Sequence, residues 1–135
     1  MTDDMLALAR RAVACKGWRW MPGMLHGTAV GNELKLRYRV GDLTLYLDAD
    51  RLPDLTDPAT LGCLLALVRE AYGDPALYVR LSDTTRQSDG VRAWEVLGWL
   101  SRERSPDGRG GSWRGWGYAT EAEALVAALE AAPCA

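Results

Sequence analysis

Between Leu34 and Asp48 the chain alternates with a period of two. Leu34, Leu36, Tyr38 and Val40 take turns with Lys35, Arg37 and Arg39; after Gly41-Asp42, Leu43, Leu45 and Leu47 take turns with Thr44, Tyr46 and Asp48. Alternation sends successive side chains to opposite faces of a strand. A Gly-X pair between two such runs marks a two-residue hairpin, here of type II′. The pattern predicts an apolar face holding Leu34, Leu36, Tyr38 and Val40, and a wet face holding Lys35, Arg37 and Arg39. With a two-residue loop, Arg37 lies opposite Tyr46 and Lys35 opposite Asp48, and both pairings are favourable. An upstream strand over Leu25–Val30, joined through Gly31-Asn32, makes a three-stranded meander, with His26 on the wet face beside Arg37.

Helices flank this unit. Met5, Leu8, Ala9, Ala12 and Val13 form one apolar stripe over residues 2–16, with Thr2 as cap and Gly17 as stop. Pro22-Gly23 marks a turn in the aromatic connection 18–24, whose Trp18, Trp20 and Met24 are read as covering the end of the core. Residues 49–57 read as a loop. Asp57 caps a second helix with Pro58 at its first position, and Gly73 and Pro75 end it. Its leucines surround most of its circumference, so it is predicted to be the most buried element. Leu77–Leu81, 91–100 and 112–118 read as strands, the second of them with helical features too. Thr120 and Glu123 form a capping box ahead of a last, Ala-rich helix.

The order is α-βββ-α-βββ-α: an α+β fold, with about three helices packed against an antiparallel hairpin or meander sheet. The 135 residues suit one globular domain, 1–135. Apolar content of 48% is enough for a core of its own. A net charge of −2 gives no global field to recruit nucleic acid or an anionic membrane. Cys15, Cys63 and Cys134 are odd in number and widely spaced, which fits free thiols in a reducing compartment, not a disulfide framework. Neither a leader nor a membrane span is legible, so the expected location is the cytoplasm.

Little in the chain announces chemistry. His26 is the only histidine, and neither a nucleophile elbow nor an activated cysteine accompanies it, so no catalytic residue is assigned. Asp48, Asp50, Asp54 and Asp57 cluster after the hairpin, but the calcium-loop glycine and glutamate are missing. Pairing, capping and turn-making explain these acids, and no metal or cofactor is assigned. Two surfaces remain. Arg37, Arg39, Tyr46 and His26 have the composition of a protein contact. Arg102, Arg104, Arg109, Trp113, Arg114 and Trp116, set among glycines, have the cation-plus-ring chemistry that holds single-stranded nucleic acid. The net charge over 101–118 is only +2, from four arginines against Glu103 and Asp107.

Three segments, LARRAVACKGWRWMPGM (Leu8–Met24), LPDLTDPATLGCLLALVREAYGDP (Leu52–Pro75) and TEAEALVAALEAAP (Thr120–Pro133), resemble a group of small uncharacterised proteins encoded by bacteriophages and prophages. The resemblance implies a setting inside a bacterial host cell and an accessory role, and it names no activity. The expectation is a non-catalytic protein that binds a host or phage protein, such as a host-defence component. Nucleic-acid or nucleotide binding through 102–116 is the alternative, and an enzyme without a recognisable motif is a third.

Overall fold

Asp57 and Gly73 bracket the second helix as their chemistry requires. The Asp57 backbone is extended (φ −82°, ψ 126°), its side chain accepts from the Thr60 amide, and Pro58 follows. Gly73 has φ +62°, and its amide and that of Asp74 close the last turn onto Glu70 and Arg69. In the computed structural model, the described residues are 3–41, 49–82, 93–98, 111–112 and 118–132. Their elements run α1 (Asp3–Ala14), β1 (Leu25–Val30), β2 (Glu33–Arg39), β3 (Arg51–Pro53), α2 (Pro58–Tyr72), β4 (Tyr78–Ser82), β5 (Ala93–Gly98), β6 (Gly111–Ser112) and α3 (Glu121–Ala131). The class is α+β. The strands form two antiparallel sheets, β2-β1-β3 and β4-β5-β6, where one was expected.

The Gly31-Asn32 turn joins β1 to β2 as expected, with Val30 opposite Glu33 and Ala29 opposite Leu34. The third strand differs. It is Arg51–Pro53, inside the stretch expected to be a loop, and it pairs on the far side of β1, so β1 is central. Residues 42–48, the expected return strand with Tyr46, lie outside the described residues.

The alternation of β2 breaks at its middle. Thr28 faces Lys35 but His26 faces Tyr38, so Gly27 alone opposes Leu36 and Arg37. This is a β-bulge, and within β2 it shifts the phase of the side chains that follow, through Arg39. Leu36 takes φ +52°. Leu34 and Val40 are buried as expected, whereas Leu36 and Tyr38 are 68% and 63% exposed. Gly27 makes the bulge possible: a Cβ there would lie 3.0 Å from the Lys35 carbonyl oxygen and 3.1 Å from the Leu34 Cβ.

In the second sheet, β5 is a strand, as the turn chemistry around it suggested, and Arg80 lies opposite Glu95 and bonds to it. A bridge from Trp94 to Tyr118 ties β5 to the entry of α3. There Thr120 accepts from the Glu123 amide, while the Glu123 carboxylate reaches back to the Ala119 amide, one residue before the cap.

The most buried helix is α3 and not α2. Ala122, Ala124, Leu125, Val126, Ala128 and Leu129 are all buried, against Thr60, Leu64, Leu67 and Val68 in α2. Small alanines let α1, α2, β4 and β5 all approach α3. The Tyr72 hydroxyl donates to the Ala128 carbonyl (2.7 Å), and Arg11 pairs with Glu130. The core joins these elements to Met24, Leu34, Val40, Leu52 and Leu55 from the first sheet and its flanks.

Candidate functional site

Strand geometry places His26, Thr28, Val30 and Tyr38 on one face of the first sheet, and Leu25, Gly27, Ala29, Leu34 and Arg39 on the other. On the inner face, Arg39 grips the Asp57 carboxylate with both terminal nitrogens (2.6 and 2.8 Å) and also donates to the Gly23 carbonyl. This guanidinium, with the Thr60 amide and hydroxyl, holds the Asp57 carboxyl well below the usual carboxylate range. Arg37 reaches Asp54 at 3.2 Å, and Asp54, 2% exposed, also accepts from the Thr56 amide. The two arginines expected at a protein contact are thus tied to the entry of α2. Lys35 pairs with Glu33.

The outer face has a different organiser. Residues 17–24 lead from α1 to β1, and Trp18 packs edge-on to Trp20 with ring centres 5.3 Å apart. Trp20 in turn meets the His26 ring at 5.8 Å. His26 is therefore buried, 6% exposed, and does not sit on a wet face beside Arg37. Arg51 of β3 reaches over it. Its Nε donates to His26 Nδ1 (2.9 Å), one terminal nitrogen to the Thr28 hydroxyl (2.7 Å), and the other to the Leu36 carbonyl (2.6 Å). The guanidinium carbon stands 6.0 Å from the centre of the Tyr38 ring, within cation–π range. Burial, and then the Arg51 charge, push the His26 pKa down. The ring is accordingly neutral at neutral pH, and accepting at Nδ1 leaves the proton on Nε2.

Around the Arg51–His26 pair, Val30, Leu36 and Tyr38 project outward, each more than half exposed. Sequence reasoning named His26 here and missed Arg51, Trp20 and Leu36. The chain separation of residues 20, 26, 36 and 51 hides the cluster, and the only local hint was an apolar residue opposite a glycine in the neighbouring strand.

A concavity of about 650 Å³ lies elsewhere, where the C-terminal ends of the three helices converge, lined by Arg11, Cys15, Lys16, Leu67, Glu70 and Leu129 among others. Its charges are largely paired within the fold, Arg11 with Glu130 and Glu70 with Arg19. Burial raises the Cys15 and Cys63 thiols, which lowers the thiolate fraction that nucleophilic chemistry needs. Among the described residues, no three His, Cys, Asp or Glu side chains gather to hold a metal ion, and no helix is long and apolar enough to cross a membrane. Arg102, Arg104, Arg109, Trp113, Arg114 and Trp116 lie outside the described residues, as do Asp48 and Cys134. No protein-family model, curated protein or solved structure matches the chain.

Proposed function

We propose that this chain is a non-catalytic accessory protein that holds another protein against the outer face of its first sheet, at Val30, Leu36 and Tyr38. One observation carries the reading. Leu36 combines a left-handed backbone (φ +52°) with a side chain 68% exposed. A leucine in that conformation is strained and would be served better by glycine or asparagine. An exposed apolar side chain adds nothing to the core, so the strain is understandable if the side chain is used by a partner. Tyr38 and Val30 extend the apolar surface, and Arg51 adds the cation that interfaces favour. The resemblance to phage and prophage proteins supports a host or phage protein as the partner.

The test is capture from bacterial lysate, with and without nuclease treatment, by the wild-type chain and by L36D/Y38S, both checked for native circular dichroism. A protein retained by the wild type and lost by the variant is the expected result. Equal retention by both, or retention by neither, overturns the assignment to this face. Retention abolished by nuclease moves the reading to nucleic acid and to residues 102–116.

A further inference from the structure

The outer face is held in shape by a bond that a proton would break. Arg51 fixes three parts of that face: the Thr28 hydroxyl on β1, the Leu36 carbonyl on β2, and the Tyr38 ring. A terminal nitrogen also reaches the His26 carbonyl at 3.5 Å, and its Nε donates to His26 Nδ1 at 2.9 Å. That acceptor exists only in neutral imidazole. Protonation turns Nδ1 into a donor facing a donor, and puts a second positive charge against a guanidinium that cannot lose its own.

We infer that His26 and Arg51 form a proton-sensitive latch on this contact face, closed when His26 is neutral and released when it is protonated. The inference rests on the proposed contact surface for its consequence, but the latch itself is a property of the free chain. Among the described residues, the charged and titratable groups facing His26 are Arg51 from β3 and Tyr38 from β2. Thr28 on β1, Pro53 on β3 and Trp20 from the α1–β1 connection also lie beside it. Among the described residues no carboxylate is bonded to His26 to stabilise an imidazolium, and none of them offsets the repulsion. Arg37 and Arg39 face the other side of the sheet and are tied to Asp54 and Asp57. The direction follows. A lowered histidine pKa means that the latched form is complete above the ordinary value of 6.5 and is lost as the pH falls through the lowered one.

Release frees the Leu36 carbonyl, the Thr28 hydroxyl and the Tyr38 ring together. Trp20 stays packed against the imidazole edge, so the change is confined to the outer face and leaves the Asp57 cap of α2 alone.

The experiment is a nuclear magnetic resonance titration of the whole chain from about pH 8 to about pH 4.5. It follows the His26 ring, the Arg51 side-chain Nε–H and the Tyr38 ring, with far-ultraviolet circular dichroism in parallel. The three signals are expected to move with one midpoint below 6.5 while the circular dichroism stays native. H26N keeps an acceptor near the Nδ1 position without titrating, and in that variant the Arg51 and Tyr38 steps are expected to vanish. If H26N fails to fold, the wild-type titration decides by itself. An Arg51 signal that ignores the His26 midpoint overturns the latch, and so does loss of native circular dichroism at that midpoint. Once a partner has been captured, its affinity for the wild type is expected to drop at least several-fold across the same midpoint. A latch that titrates in a chain whose partner ignores L36D/Y38S leaves the latch standing and removes the contact face.

Discussion

At the scale of single residues, close approach and charge decide most of what can be changed. Gly27 lies under the bulge, where an added Cβ would press on the Lys35 carbonyl oxygen at 3.0 Å and on the Leu34 Cβ and Arg37 Cγ at 3.1 Å. Gly27→Ala is expected to destabilise by about 1–3 kcal/mol in urea unfolding, as overpacking does. Leu36 should behave in the opposite way. Leu36→Asn keeps the left-handed backbone with a residue that tolerates it, and is expected to raise stability by up to about 1 kcal/mol, while capture of the partner fails. A fall in stability would show that Leu36 supports the fold and would weaken its assignment to a contact. Asp57 joins a helix cap to an ion pair. Asp57→Ala is expected to cost about 1–2 kcal/mol through the cap alone. Because its carboxyl is held low, its contribution is complete above the ordinary value near 3.8 and fades as acid carries the pH down through the lowered one. The variant's stability should therefore decline less steeply on the acid side than the wild type's.

At the scale of elements, what was legible in the chain was what local chemistry specifies. Asp57, Pro58 and Gly73 announced both ends of α2. Thr120 and Glu123 announced the start of α3, and Gly31-Asn32 announced the first hairpin. The bulge was not legible, because the alternation from Leu34 to Val40 is unbroken as written and the phase shift comes from Gly27 on the neighbouring strand. The strand at Arg51–Pro53 was missed because three residues ending in proline carry no period; β1 recruits it. The eminence of α3 over α2 was hidden for a related reason. Alanines give little apolar signal in a sequence, yet they are what lets neighbours come close. The seam between β1 and α2 depends on Thr60, fully buried, whose hydroxyl accepts from the Leu25 amide (2.9 Å) and bonds to Asp57 (3.0 Å). Thr60→Val preserves shape but orphans the Leu25 amide, and is expected to cost about 1–3 kcal/mol in thermal or chemical unfolding.

At the scale of the whole molecule, α3 is the element on which α1, α2, β4 and β5 all pack. Leu125 is fully buried at its centre, and Leu125→Ala is expected to cost about 2–5 kcal/mol, enough to leave a small domain only marginally folded. The candidate site stands at the other end of this logic. Val30, Leu36 and Tyr38 could each be replaced without opening the core, so binding and stability should separate cleanly in a mutational survey. The class and element order of the fold were therefore readable from the chain, whereas the site was not, since its members meet only after β3 has crossed to the far side of β1.

The central position of α3 also bears on how the protein comes into being. A ribosome delivers α1 and the first sheet, then α2 and the second sheet, and only afterwards residues 121–131. Until that segment emerges from the exit tunnel, Leu6, Leu64 and Val96 have no common surface to close on. Folding of this core is thus held back until residues 121–131 have emerged, and a nascent chain stalled before Thr120 would remain a substrate for chaperones and proteases.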